Sequence, residues 1–293
     1  MRRMDLKLGK VVIPAAGMGT RFIPATKAQP KEMLPVFDKP AIQYVLEEAV
    51  AAGARDVILI TGRNKQAIAN HFDKSLELEH FLAAHGQAKE LRQVRAIGAM
   101  ANLIDIRQKE PLGLGHAVLC ARPAVGEETF GVLLADDLIE ARVPALLQLW
   151  RACRERGGSV IAVMEVPRSA VSSYGIAAGD WLGPRIMRVR EMVEKPAVSR
   201  APSRYAIVGR YVLSPRIFGL LEETPRGANG EIQLTDALKG LAKEEPVYAL
   251  KFDGVRHDVG TKFGYVEASL AYALRDPETG PRVRALIRKL ARR

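Results

Sequence analysis

The chain has 293 residues, 48% of them hydrophobic, which is enough to bury one large core and argues against an array of small modules. Lys and Arg number 44 against 33 Asp and Glu, a formal net charge of +11 that favours polyanionic ligands such as a nucleoside triphosphate or nucleic acid. No apolar run spans a bilayer, and the charged start from Met1 to Lys7 lacks the apolar stretch of a secretory signal, so a soluble cytoplasmic protein without a membrane partner is expected.

In chain order, short β-branched runs alternate with helical patterns, which predicts a largely parallel sheet. Strands are expected at 10–14, 56–61, 103–107 and 131–134. Between the first two, Ile42, Val45, Leu46, Ala49 and Val50 share one face of a helix over 41–52. After Ser159 the runs 160–166, 174–178, 186–193 and 206–213 are strand-like with glycines between them, which predicts antiparallel or mixed sheet. Helices follow at 216–223, 234–243 and 263–274, with one more strand at 247–252. A ligand cleft is expected between the two halves.

Cys120 and Cys153 are the only cysteines, both in apolar helix-like stretches, which excludes a disulfide framework and leaves no zinc-ligand spacing. The basic residues near the C-terminus, Arg282, Arg284, Arg288, Lys289, Arg292 and Arg293, read as a solvated helix face. No aromatic residues interleave them as a nucleic-acid stacking platform requires, so no nucleic-acid partner is expected.

The first predicted strand runs into Pro14-Ala15-Ala16-Gly17-Met18-Gly19-Thr20-Arg21, followed by Pro30-Lys31-Glu32-Met33-Leu34-Pro35. Glycines after a buried strand let main-chain N–H groups approach phosphate oxygens, and Arg21 and Lys31 add fixed positive charge. A dinucleotide fingerprint needs a small residue where Phe22 stands, and a P-loop needs Gly-Lys-Ser/Thr, so neither fits. Gln108 can both donate and accept hydrogen bonds, matching the alternating edge of a pyrimidine, and Gly113 lets the backbone approach a flat base. Asp136 follows an apolar run and so falls near the C-terminal end of a predicted strand. Mg²⁺ prefers hard oxygen donors and needs only one or two protein carboxylates, for which Asp136 with Asp258 suffices. Glu194 can accept hydrogen bonds from hydroxyl groups, and Lys195 can hold an anion such as a phosphate.

Together the Gly-x-Gly-Thr-Arg and Pro-Lys-Glu-Met-Leu-Pro strings resemble the signature of the sugar-1-phosphate nucleotidyltransferases. Further blocks appear in that family's order: Gln108 to Ala117, Leu134 to Asp137, Met192 to Pro196, Gly230 to Asp236, and His257 to Gly260. Ala135 stands where the family usually has proline, His257 where it commonly has tyrosine, and Gln29 precedes Pro30.

The resemblance implies an α/β fold, Rossmann-like and three-layered (αβα), with a largely parallel mixed central sheet and a smaller sugar-binding β-rich lobe. It implies one domain over 1–280, with a nucleotide-binding half (1–157), a sugar-phosphate half (158–260) and a helix packing back (261–280), ahead of a basic tail (281–293). Ala15, Ala16, Gly17 and Gly19 would hold the nucleotide, with Glu32, Gln108 and Gly113 completing the base pocket. Asp136 and Asp258 would bind Mg²⁺, while Asp137, Gly175, Glu194, Lys195 and Gly209 would hold the sugar phosphate.

The blocks look most like the branch of the family that uses UTP and glucose-1-phosphate. The implied reaction is an in-line attack in which Lys195 holds the attacking phosphate, Lys31 supports the triphosphate and Arg21 neutralises the leaving pyrophosphate. A homo-oligomer, dimer or tetramer, is also expected. The rival readings are thymidylyl transfer and a non-catalytic nucleotide or sugar sensor.

Overall fold

The computed structural model describes residues 8–227 and 230–292; Met1 to Lys7, on which the reading of the N-terminus rests, and Arg293 of the basic segment lie outside the described residues. Strands β1 (Lys10–Ala15), β2 (Pro35–Val36), β3 (Lys39–Pro40), β4 (Asp56–Thr61), β5 (Asn102–Arg107) and β6 (Phe130–Leu133) occupy the first half. Then come β7 (Asp137–Glu140), β8 (Ser159–Glu165), β9 (Gly175–Trp181), β10 (Ile186–Glu194), β11 (Tyr205–Leu213), β12 (Val247–Lys251) and β13 (Val255–Asp258). Nine of them form one mixed sheet in the order β5-β4-β1-β6-β11-β8-β12-β10-β9.

Parallel pairing prevails at the β5 end of the sheet, where β1 pairs with β4 from Lys10↔Asp56 to Ala15↔Thr61 and β4 continues the register into β5. β11 then runs antiparallel to both β6 and β8, and the remaining strands continue the mixed pattern. The change at Ser159 expected from the sequence is therefore present. The fold is mixed α/β.

Side chains alternate across a strand, and in β1 this sends Val11 and Ile13 into one apolar cluster and Val12 into the other. The first cluster is closed by α1 (Ala41–Ala51), α7 (Ala145–Arg156) and α10 (Lys262–Arg275), through Ile42, Leu146, Leu149 and Ala268. The second is closed by α5 (Gly113–Cys120), α8 (Ile217–Glu223) and α9 (Leu234–Glu244), through Val118, Phe218 and Leu238. Strands buried on both faces read as continuous apolar runs, which is why β1, β4 and β6 were legible.

Helices α2 (Gln66–Phe72), α3 (Leu76–Ala84) and α4 (Ala88–Gly98) lie between β4 and β5, and α6 (Arg122–Val125) is a single turn. The basic C-terminal segment forms α11 (Gly280–Leu290), started by Gly280, where a Cβ would lie 2.5 Å from the Leu274 carbonyl oxygen. Among the described residues no helix is long and apolar enough to cross a membrane.

The C-terminal ends of β1, β4, β5 and β6 converge on one edge, and the segments leaving them carry Gly17, Lys65, Gln108 and Asp136. That edge is where open α/β sheets receive ligands.

Candidate active site

β1 ends at Ala15, and the chain turns through Gly17 and Gly19 before a short helical turn at Thr20–Phe22. Gly19 has φ 68°, and a Cβ there would lie 3.2 Å from the Lys31 Cβ, so the turn needs glycine for both reasons. Thr26 ties the loop back by donating its hydroxyl to the Gly19 carbonyl at 2.7 Å. A second turn, Lys31–Met33, aims Lys31 inward, where Nζ donates to Asp136 Oδ2 at 2.5 Å. Arg21 is exposed and lines a cavity of about 210 Å³ together with Asp136, Glu194, Gly209, Arg256 and Asp258.

Burial opposes the charge on Lys31, but Asp136 and Glu32 more than offset it and raise its pKa. Burial likewise pushes the Asp136 carboxyl up, and the Lys31 ammonium overcomes that push to hold it below the usual carboxylate range. Asp137 is 4% exposed and held at both oxygens, with one acceptor position of Oδ2 left over: Oδ2 accepts from the Gly209 N–H at 2.8 Å, and Oδ1 accepts from Arg256 Nε at 2.8 Å and from the second Arg256 nitrogen. Burial raises its pKa against the pull of Arg256.

Antiparallel pairing of β7 with β13 places Asp137 directly opposite Asp258. Asp258 Oδ1 accepts from the Gly260 N–H at 3.0 Å. A Cβ on Gly260 would sit 2.9 Å from Asp136 Oδ2 and 3.1 Å from Asp258 Oδ1, so the missing side chain leaves open the space on which both carboxylates converge. Two hard oxygen donors around one gap suit a divalent cation that keeps most of its waters, so these residues fit the metal the sequence reading implied.

Arg210, fully buried in β11, fixes the turn that carries the aspartates. Its guanidinium donates to the Gly209 carbonyl at 2.8 Å and the Asp137 carbonyl at 2.7 Å, and it pairs with Glu48 Oε2 at 2.8 Å.

A cavity of about 540 Å³ opens beside the glycine loop, lined by Ala16, Gly17, Lys31, Gln108, Gly113 and Asp136 among others. Gly113 has φ 92°, and a Cβ there would lie 2.7 Å from the Glu231 Cβ. Gln108 Nε2 donates to the Gly113 carbonyl at 3.1 Å and closes the loop between them. Glu32 is 2% exposed, and its Oε2 accepts from Lys65 Nζ at 2.6 Å, a buried pair beneath the loop.

On the other side of Asp136, Glu194 Oε2 accepts from the Thr235 hydroxyl at 2.7 Å. A Cβ on Gly175 would lie 2.9 Å from that same oxygen, so glycine leaves the carboxylate room. Lys195 is exposed, has φ 43°, and carries Nζ 3.6 Å from Glu194 Oε1. Its N–H donates to the Tyr174 carbonyl at 3.0 Å, which fixes the backbone at this position.

The two cavities share Leu114, Leu134 and Asp136, so most of the residues singled out in the sequence surround one continuous site. Lys65, His116, Arg210, Thr235 and Arg256 were not assigned roles there. A lone arginine inside the buried run from Ala206 to Leu213 was a readable signal, because a fully buried charge requires partners. Lys65 pairs with Glu32, 33 residues away, and Arg256 with Asp137, 119 residues away, and no local pattern marks either pair.

The family model described as nucleotidyl transferase matches residues 10–275. The UTP--glucose-1-phosphate uridylyltransferase of Staphylococcus epidermidis is 49% identical over 284 residues, covering 97% of this chain and 99% of that protein. A UTP-bound UGPase from Acinetobacter baumannii superposes with a TM-score of 0.90 at 41% identity, covering 97% of this chain and 99% of that one. A UDP-glucose pyrophosphorylase complexed with UDP-glucose gives a TM-score of 0.83 at 43% identity, over 90% of this chain and 98% of that one.

Proposed function

Because the chain belongs to the nucleotidyl transferase family, we propose that it transfers the uridylyl group of UTP to glucose-1-phosphate, releasing UDP-glucose and pyrophosphate. The observation that carries this reading is the meeting of two cavities at Asp136, one beside the glycine loop and Gln108, the other beside Glu194 and Thr235. A nucleotide and a sugar phosphate held in them face each other across Asp136. The UTP-bound and UDP-glucose-bound structures to which the chain is similar favour uridylyl transfer over thymidylyl transfer and over a non-catalytic sensor.

A phosphate oxygen of glucose-1-phosphate attacks the α-phosphorus of UTP, and the bond from that phosphorus to the oxygen bridging the β-phosphate breaks. The nucleophile is already an anion, so no general base is needed and catalysis is positioning and charge neutralisation. Lys195 holds the attacking phosphate, Lys31 the triphosphate, and Arg21 the departing pyrophosphate. The backbone of Ala15, Ala16, Gly17, Gly19 and Gly113 lies against the nucleotide, with Gln108 at the base. Glu32 supports the pocket from beneath through Lys65. Glu194 and Asp137 accept from sugar hydroxyls, and Gly175 and Gly209 let the hexose approach the backbone. Asp136 and Asp258 would hold Mg²⁺, which when bound supplies neutralising charge to the reacting phosphates.

This reading also takes the fold as a Rossmann-like three-layer αβα arrangement in a single domain over 1–280, with the nucleotide half before residue 158 and the sugar-phosphate half after it. It takes the protein as a cytoplasmic homo-oligomer. The test of function is a pyrophosphate-release assay crossing UTP, dTTP and CTP with several sugar phosphates, with and without Mg²⁺. UTP with glucose-1-phosphate is expected to dominate, and no release from any pair would defeat the assignment.

A further inference from the structure

Gln108 continues β5 by one residue, its side chain is buried, and its amide nitrogen is fully committed. Nε2 lies 3.1 Å from the Gly113 carbonyl oxygen and 3.0 Å from His116 Nδ1. A primary amide has two N–H hydrogens, so both are spent inside the protein. Turning the amide over would set Oε1 against the Gly113 carbonyl oxygen, two acceptors facing one another, and so the orientation is fixed. Acceptance of the second hydrogen requires a neutral His116 with its proton on Nε2, the nitrogen that faces the Cys120 sulfur at 4.0 Å.

What Gln108 retains for a ligand is Oε1. That oxygen accepts from no described residue, yet it is not sealed from solvent, and Gln108 lines the nucleotide cavity. The donor-and-acceptor reading of Gln108 taken from the sequence therefore narrows to acceptor alone.

We propose that His116 is a positioning residue that makes Gln108 an acceptor-only reader, so that the cavity selects a base presenting a ring N–H, a pyrimidine-2,4-dione, over cytosine. Uracil offers N3–H to Oε1. Cytosine offers a lone pair at the same ring position, and the two acceptors repel. A site whose buried polar group is left unpaired rejects the wrong ligand far better than one that merely lacks room. The proposal rests on the uridylyl-transfer reading and adds which atom discriminates and which neighbour holds it.

The experiment measures kcat and KM for UTP and CTP with glucose-1-phosphate in the full-length protein and in H116A, H116F and H116Q, with thermal melts to check folding. H116A and H116F are expected to raise KM for UTP about tenfold, with little change in kcat, and to lower the UTP-to-CTP preference about tenfold. H116Q, whose side-chain oxygen can accept the same hydrogen, is expected to restore the preference. H116F keeps the ring volume and so separates the lost acceptor from a lost packing contact. An unchanged preference in the folded alanine and phenylalanine variants, or a glutamine variant no better than alanine, overturns the proposal. Wild-type protein that transfers nothing from UTP defeats the functional reading itself, a different result.

Discussion

Lys31 Nζ stands 2.5 Å from Asp136 Oδ2, the oxygen that also borders the open space beside Gly260. The ammonium thus occupies one of the two carboxylates on which a divalent cation would depend. Removing a positive charge so close to a carboxylate strengthens that carboxylate's hold on any other cation. K31M is expected to bind Mn²⁺ about tenfold more tightly than the wild type in the absence of nucleotide, while losing turnover. Mn²⁺ titration followed by electron paramagnetic resonance reads the affinity without any reaction. Equal affinity in the two proteins would show that the ammonium does not compete.

The same pair sets a pH window for stability. The pKa of Asp136 is lowered in the fold, so its contribution is present above the unfolded carboxylate value of about 3.9 and is lost as pH falls through the folded value. The pKa of Lys31 is raised, so its contribution is present below the unfolded ammonium value of about 10.4 and is lost as pH rises through the folded value. The melting difference between wild type and K31M/D136N is therefore expected to be flat from about pH 4 to pH 10 and to shrink on both sides. A difference that varies steadily across neutral pH would contradict the pairing.

Arg21 is exposed on the rim of the cavity it shares with Asp136 and Asp258, and no hydrogen bond or ion pair to another described residue engages it. A charge that serves the fold would be paired. R21A is expected to leave the melting temperature unchanged within about a degree, because unpaired surface substitutions stay within about 0.5 kcal/mol. Its kcat is expected to fall about 100-fold with KM for glucose-1-phosphate little altered, the signature of an interaction made mainly in the transition state. Near wild-type turnover in R21A would remove it from the reaction.

Periodicity and motif spacing reached most of this site because its glycine loop and its first aspartate follow strands that read as continuous, mostly buried apolar runs. β4 begins and ends where the apolar run Asp56 to Thr61 does, and the run before Asp136 is buried at every position of β6. The pairing of β7 with β13 was not legible. Each strand has four residues, and Asp137↔Asp258 joins positions 121 residues apart, so neither carries a two-residue period long enough to stand out. The commitment of both Gln108 hydrogens was hidden for a different reason. Its partners are near in sequence, at Gly113 and His116, but only the φ of 92° at Gly113 turns that carbonyl back toward the amide.

Arg210 offers the test of how the aspartate turn is held. With no exposed side-chain surface, it holds Glu48 through Nε and a terminal nitrogen, and it also donates to the carbonyls of Gly209 and Asp137. R210M removes the cation and leaves a carboxylate that is 8% exposed without its partner, a change that typically costs about 3–5 kcal/mol. A large drop in denaturation midpoint is expected. E48L/R210M removes both charges, and because the desolvation penalty disappears with them, it is expected to recover about 1–3 kcal/mol relative to R210M. The recovered protein would still lack the donors to the two carbonyls, so its kcat is expected to stay depressed although its stability returns. Full recovery of both would make Arg210 a packing residue with no part in positioning Asp136 and Asp137.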